Sequence, residues 1–135
     1  MRFLCTLLLA GFLFSLTAQP AAAVLPFYKV WKAEYLDNHP DQEYAKLADK
    51  AANRCFVCHV GKKRSHRNAY GALMEEELDA KKDLKDKEKI LAVIKKASEA
   101  HVDPNDTSSE TFADRIAASK FPGGDLDEMK KEPAE

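Results

Sequence analysis

Three features of the 135-residue sequence predict an all-α fold, a small bundle of about four to five short helices around one bound group. Apolar residues recur at helical spacing in successive stretches. No run alternates apolar and polar residues for long enough to make a sheet. The third feature is Cys55-Phe56-Val57-Cys58-His59, which ends one of the helical stretches. Two cysteines three apart with a histidine directly after the second is the pattern of covalent c-type haem attachment. The spacing has a chemical reason. One turn of chain lets both thiols reach the two vinyl groups on one edge of a porphyrin and form thioethers, and the next residue can then ligate the iron. The motif therefore predicts one covalent haem c, held by Cys55 and Cys58, with His59 as the proximal iron ligand.

Such attachment takes place outside the cytoplasm, and the N-terminus fits that requirement. Arg2 is followed by an apolar run from Phe3 to Leu16 and by Ala21-Ala22-Ala23, the three regions of a secretory signal peptide. The run of about 14 residues is short of the roughly 20 that a spanning helix needs. An uncleaved N-terminal anchor is the alternative. Cys5 stands at the front of the run rather than at a cleavage position, which argues against a lipid-modified cysteine. The expected organisation is a signal peptide over residues 1–23 and one haem domain over 24–135, periplasmic or secreted, with no membrane span after cleavage. The mature part carries only Cys55 and Cys58, so no set of disulfides staples it. A buried haem would fill the core instead. A net charge of −1, with 32% of residues charged, gives no sign of a nucleic-acid partner.

The first helix is expected over 24–36, where Phe27, Val30, Trp31 and Tyr35 form an apolar stripe and Pro26 suits the first turn. Trp31 is expected in the core. A second helix is expected from about Pro40 to Arg54, with Asp41 and Glu43 in its first turn, where the helix dipole favours negative charge. Its apolar face would be Tyr44, Leu47, Ala48, Ala51 and Ala52, leading straight to Cys55. Asn68 can cap a third helix bearing Tyr70, Leu73, Met74 and Leu78. Gly71 lies in its first turn, a cost unless something packs closely there. The fourth, about Asp86 to Ala100, carries Ile90, Leu91, Val93, Ile94 and Ala97, and His101 continues that stripe. Residues 103–110 read as a polar loop. Thr111 with Asp114 resembles a capping box for a short helix bearing Phe112, Ile116 and Ala117. Phe121-Pro122-Gly123-Gly124 breaks it, and the tail from Asp125 forms at most one more turn before fraying.

Two other uses of the motif are weaker. A redox dithiol of the thioredoxin kind wants a strand before it and a helix after. A zinc site needs four ligands, and beside the thiols only His39, His66 and His101 remain, with no second Cys or His pair.

Over about residues 41–122 the chain resembles class I monohaem c-type cytochromes, through a helix leading into Cys-x-x-Cys-His and further helices after it. The resemblance implies a cytochrome c-like fold and an electron carrier rather than an enzyme, working with a redox partner protein. It also implies a distal methionine followed by proline in a late loop. Here that position reads Phe121-Pro122, and phenylalanine cannot ligate iron. Val60-Gly61-Lys62-Lys63-Arg64 with Arg67-Asn68-Ala69-Tyr70-Gly71 also resembles uncharacterised secreted single-haem proteins of planctomycete bacteria, a group with no assigned function.

The residues leave the sixth iron ligand open among His101, which is aligned with an apolar stripe, Met74, Met129, His39, and an open or water-filled position. His66 reads as a loop residue. The basic run Lys62 to Arg67 is placed to neutralise haem propionates or to steer an acidic partner, or is simply a solvated loop. Two further functions stay in view: a haem-based sensor or small-ligand binder with an open sixth site, and a cytochrome subunit of a larger oxidoreductase.

Overall fold

Residues 25–134 are described by the computed structural model, so the leader assigned to 1–23 lies outside the described residues. Helix α1 spans Leu25–Tyr35 and turns its apolar stripe inward. Trp31 is buried at 1% exposure, and Phe27, Val30 and Tyr35 pack around it half-buried. Tyr28 and Tyr35 flank the indole at ring-centroid distances of 6.0 and 5.8 Å.

Asp41 caps α2 (Gln42–Asp49), its carboxylate accepting from the amides of Glu43 and Tyr44 at 3.0 Å each. The helix ends five residues earlier than the sequence predicts. Asn53 closes it off: its side-chain amide donates to the Leu47 carbonyl at 2.9 Å, and its backbone amide donates to Lys50 at 2.8 Å. The chain then runs through a single 3-10 turn, Arg54–Val57. That break changes which residues face inward. Leu47, Ala51 and Ala52, expected on the buried face, are exposed, and Ala45 is buried in their place. Cys55, Phe56 and Val57 are buried in succession.

After the 3-10 turn comes the one departure from a wholly helical reading. β1 (His59–Val60) pairs antiparallel with β2 (His66–Arg67), His59 opposite Arg67 and Val60 opposite His66. Strands of two residues are too short to show alternation in sequence. The basic run forms the hairpin between them, turned by Gly61 at φ 83° and Arg64 at φ 55°. The described fold is therefore mostly helical with one small ribbon.

Asn68 caps α3 (Ala69–Glu75). Asp86 caps α4 (Lys87–Glu99), which sits at the centre: α1, α3 and α5 (Phe112–Ala117) all pack on it. Ile90 and Ile94 are fully enclosed there. Thr111 and Asp114 form the expected capping box of α5. The tail makes α6 (Leu126–Met129) and is then tied down rather than frayed. Gly61 donates its amide to the Met129 carbonyl at 2.7 Å, and Lys63 donates its amide to the Glu132 carboxylate at 3.0 Å. Among the described residues no helix is long and apolar enough to cross a membrane.

Candidate functional site

One cleft gathers the chemistry. The 3-10 turn and β1 contribute Cys55, Val57, Cys58 and His59. α1 contributes Phe27, Tyr28 and Trp31, and α3 with the chain after it contributes Gly71, Met74, Glu75 and Leu78. Arg54 and Arg67 complete the lining that carries charge. The cleft is half-open, with a cavity volume of about 160 Å³.

The motif closes one turn on itself, the Cys58 amide donating to the Cys55 carbonyl at 3.2 Å, and its neighbours hold the rest. A 3-10 turn leaves carbonyls without helical partners. Asn68 takes them up: its side-chain nitrogen lies 3.1 Å from the carbonyl oxygens of both Phe56 and Val57. The same side chain's oxygen accepts from the Gly71 amide at 2.8 Å, which caps α3. The Asn68 backbone amide donates to the Cys58 carbonyl at 3.0 Å. Gly71 then lies directly on that carbonyl. A Cβ there would stand 2.0 Å from the Cys58 oxygen, so only glycine lets α3 approach the motif this closely.

Cys55 is buried, Cys58 is half-buried, and the two are free thiols. Burial pushes the Cys58 thiol up to about 12. At neutral pH it is a thiol and not a thiolate, the opposite of what a nucleophilic redox cysteine needs. No helix follows Cys58, only the ribbon.

His59 is 8% exposed. One terminal nitrogen of the Arg67 guanidinium stands 2.9 Å from its Nδ1 and 2.6 Å from its Nε2. A guanidinium only donates, so it needs a ring nitrogen that carries a lone pair. Burial first, and the Arg67 charge second, hold the imidazole below its ordinary value. His59 is thus neutral, the form that coordinates metals, with a cationic group already at its ring edge. The second terminal nitrogen of Arg67 lies 3.4 Å from the Glu75 carboxylate. The donor set of two adjacent thiols and one neutral imidazole on one apolar wall suits thioether attachment with axial ligation. Among the described residues, no group of three or more His, Cys, Asp and Glu side chains is arranged to hold a bare metal ion.

Of the residues considered as second ligand, the cleft includes Met74 and not the others. His101 lies just beyond α4, where Ala100 is already extended, so the helical stripe stops short of it. It bridges to Thr111 and donates from Nδ1 to the Ser109 carbonyl at 2.6 Å. His39 is buried with both ring nitrogens engaged: Nε2 donates to the Ile116 carbonyl at 2.9 Å, and Nδ1 accepts from the Asp41 amide at 3.1 Å. Met129 is buried with its sulfur 3.7 Å from the Asn68 side-chain nitrogen. His66 is exposed on the ribbon.

Some cleft residues carried no functional signal in the sequence. Arg54 joins the lining from the 3-10 turn, its guanidinium 5.7 Å over the Tyr28 ring. Asn68 was legible as a cap. Its second task, bracing the motif carbonyls, depends on the 3-10 turn and has no sequence pattern. The Trp31 indole nitrogen is buried, lines the cleft and makes no hydrogen bond.

Compared with family models, curated proteins and solved structures, the chain matches none.

Proposed function

We propose that the chain is an exported monohaem c-type cytochrome, class I-like, that carries single electrons between redox partners in the periplasm or an equivalent compartment. The observation that carries this reading is the cleft itself: both thiols and the neutral imidazole of the motif line one apolar space, flanked by two arginines. Haem c bound there would supply an iron that cycles between ferric and ferrous states. The residues do the rest. Cys55 and Cys58 anchor covalently, and His59 ligates. Phe27, Trp31, Val57 and Leu78 exclude water. Arg54 and Arg67 offer positive charge for carboxylates.

The size of the cleft also bears on function. Its volume of about 160 Å³ is small beside the ligand pockets of several hundred Å³ usual for small-molecule sites, and it opens at a mouth, which suits electron exchange with a docked partner better than chemistry on an enclosed substrate.

The test is expression of the full chain with a haem c maturation system, followed by acid–acetone extraction. The wild type is expected to keep its haem, and Cys55→Ala with Cys58→Ala to carry none that survives. A wild type that releases its haem would refute covalent attachment. A reversible one-electron titration then separates a carrier from a sensor. Ferrous iron that takes up carbon monoxide at once would favour the sensor or ligand binder. Stable co-purification with a larger oxidoreductase would favour a subunit.

A further inference from the structure

Four groups were open as second axial ligand, and they differ in what already holds them. His39 lies outside the cleft, its ring held by the Ile116 carbonyl and the Asp41 amide. His101 is tied to the Ser109 carbonyl outside the cleft. Met129 has its sulfur 3.7 Å from the same Asn68 side-chain nitrogen that meets the motif carbonyls, and it does not line the cleft. Only Met74 combines a donor atom with no hydrogen-bond partner and a place in the lining beside Cys55, Cys58 and His59.

Other ligand-capable groups in the lining are accounted for as well. The Tyr28 hydroxyl donates to the Asp49 carboxylate at 2.9 Å. The Glu75 carboxylate faces Arg67 from a largely exposed side chain. Met74 is 7% exposed, so its thioether is shielded from bulk water. Its backbone is also fixed relative to the motif. Gly71, three residues earlier on the same helix, rests on the Cys58 carbonyl, and Asn68 ties the start of α3 to the residues on either side of Cys58. A ligand set on a rigid element is held in place before the metal arrives.

We propose that Met74 supplies the second protein ligand of the haem iron beside His59 in the same cleft, which gives the protein histidine–methionine coordination from a helix that follows the motif. The inference rests on the haem reading above. A soft thioether suits an iron that must favour the ferrous state, and it raises the reduction potential relative to a second imidazole. The competing account is that Met74 only fills the core, where methionine is a common gap-filler. Leucine separates the two, because it keeps the volume and removes the sulfur.

The experiment uses the full-length haem-loaded protein and reads the spin state optically and by electron paramagnetic resonance. The wild type is expected to be low-spin and slow to bind carbon monoxide. Met74→Leu should lose the low-spin signal and bind carbon monoxide on mixing, with the fold retained by circular dichroism. Met74→His should return the iron to low spin at a lower potential. His101→Ala should leave the spectrum unchanged. A Met74→Leu spectrum identical to wild type overturns the assignment, as does a wild type that is already high-spin, and a His101→Ala protein turning high-spin moves the ligand there. A chain that carries no covalent haem at all defeats the underlying haem reading, a result distinguishable from all of these.

Discussion

Gly71→Ala tests how tightly the site is built. On an exposed helix this change should stabilise, since alanine is favoured over glycine by about 0.8–1.0 kcal/mol. Here the added Cβ meets the Cys58 backbone: oxygen at 2.0 Å, carbonyl carbon at 2.8 Å and Cα at 3.0 Å. Real Cβ contacts essentially never fall under 3.0 Å, so α3 and the motif must separate by about 1 Å (3.0 − 2.0). Neither side can yield by rotating a side chain, because both are backbone. The separation also stretches the 3.0 Å bond from the Asn68 amide to the Cys58 carbonyl and the 3.1 Å contacts of the Asn68 side chain with the Phe56 and Val57 carbonyls. Overpacking of this kind costs about 1–3 kcal/mol, and weakening one or two buried hydrogen bonds adds roughly 1 kcal/mol. Against the propensity gain, a net loss of about 1–3 kcal/mol is expected. For a domain of this size that lowers the melting temperature by roughly 4–8 °C per kcal/mol. Thermal and denaturant unfolding of the haem-loaded protein, followed by far-ultraviolet circular dichroism, measures it. A Gly71→Ala protein as stable as wild type, or more so, would show that α3 does not rest on the motif.

Two further perturbations probe the same unit. Asn68→Ala removes a helix cap, at about 1 kcal/mol, and strands the buried carbonyls of Phe56 and Val57, at about 1–3 kcal/mol. A total loss of about 2–4 kcal/mol should appear in the denaturant midpoint, and a change of only a few tenths would mean those carbonyls find other partners. His59 sets a pH dependence in the haem-free chain. Its folded-state value is depressed by burial and by Arg67, so the unfolded chain binds its proton more readily. The stability it contributes is present above the unfolded value of about 6.5 and lost as the pH falls through the folded value. His59→Gln should flatten that slope. Arg67→Leu should move the His59 titration upward in a nuclear magnetic resonance experiment, and a downward or absent shift would show that the guanidinium does not act on the ring.

The helices were legible where one residue type acts locally. Asn68 and Thr111 cap the helices that follow them as expected, because a short polar side chain beside an apolar run has few other uses. Asp41, expected inside the first turn, and Asp86, expected only as a helix start, also take cap positions. Periodicity was less reliable at α2. The stripe from Tyr44 to Cys55 is unbroken on paper, yet Asn53 reaches back to Leu47 and ends the helix first. A tertiary choice between two hydrogen-bond partners is invisible to a count of apolar spacings. The same reason separates His101 from the α4 stripe, since the helix stops at Glu99. In the site, Cys55, Cys58 and His59 announce themselves because their spacing is chemical. The cleft walls do not, because Phe27, Trp31 and Leu78 read in sequence as any core residue would. Gly71 was legible as a cost without a cause, and the Cys58 carbonyl beneath it is the cause.

Under the proposed haem reading, the late segment bears on where a second donor can come from. Phe121 stands where the class I pattern places methionine, and its ring meets Tyr44 edge-on at 5.9 Å. Tyr44 donates its hydroxyl to the Lys120 carbonyl at 2.9 Å, and His39 donates to the Ile116 carbonyl beside it. These contacts fasten residues 116–121 to α2 and to the turn before it, and Phe121 does not line the cleft. A methionine at 121 in the same backbone would therefore lie against Tyr44. Bringing it to an iron at His59 would mean giving up two hydrogen bonds, one buried and one half-buried, and an aromatic contact, a cost of about 2–4 kcal/mol from those groups alone. The cleft takes its walls from α1, the motif and the α3 region, while α5 and the segment after it brace the other side of α2. The thioether that lines the cleft is that of Met74 on α3, and on the proposed reading Phe121→Met should leave the spin state of the haem-loaded protein as it was.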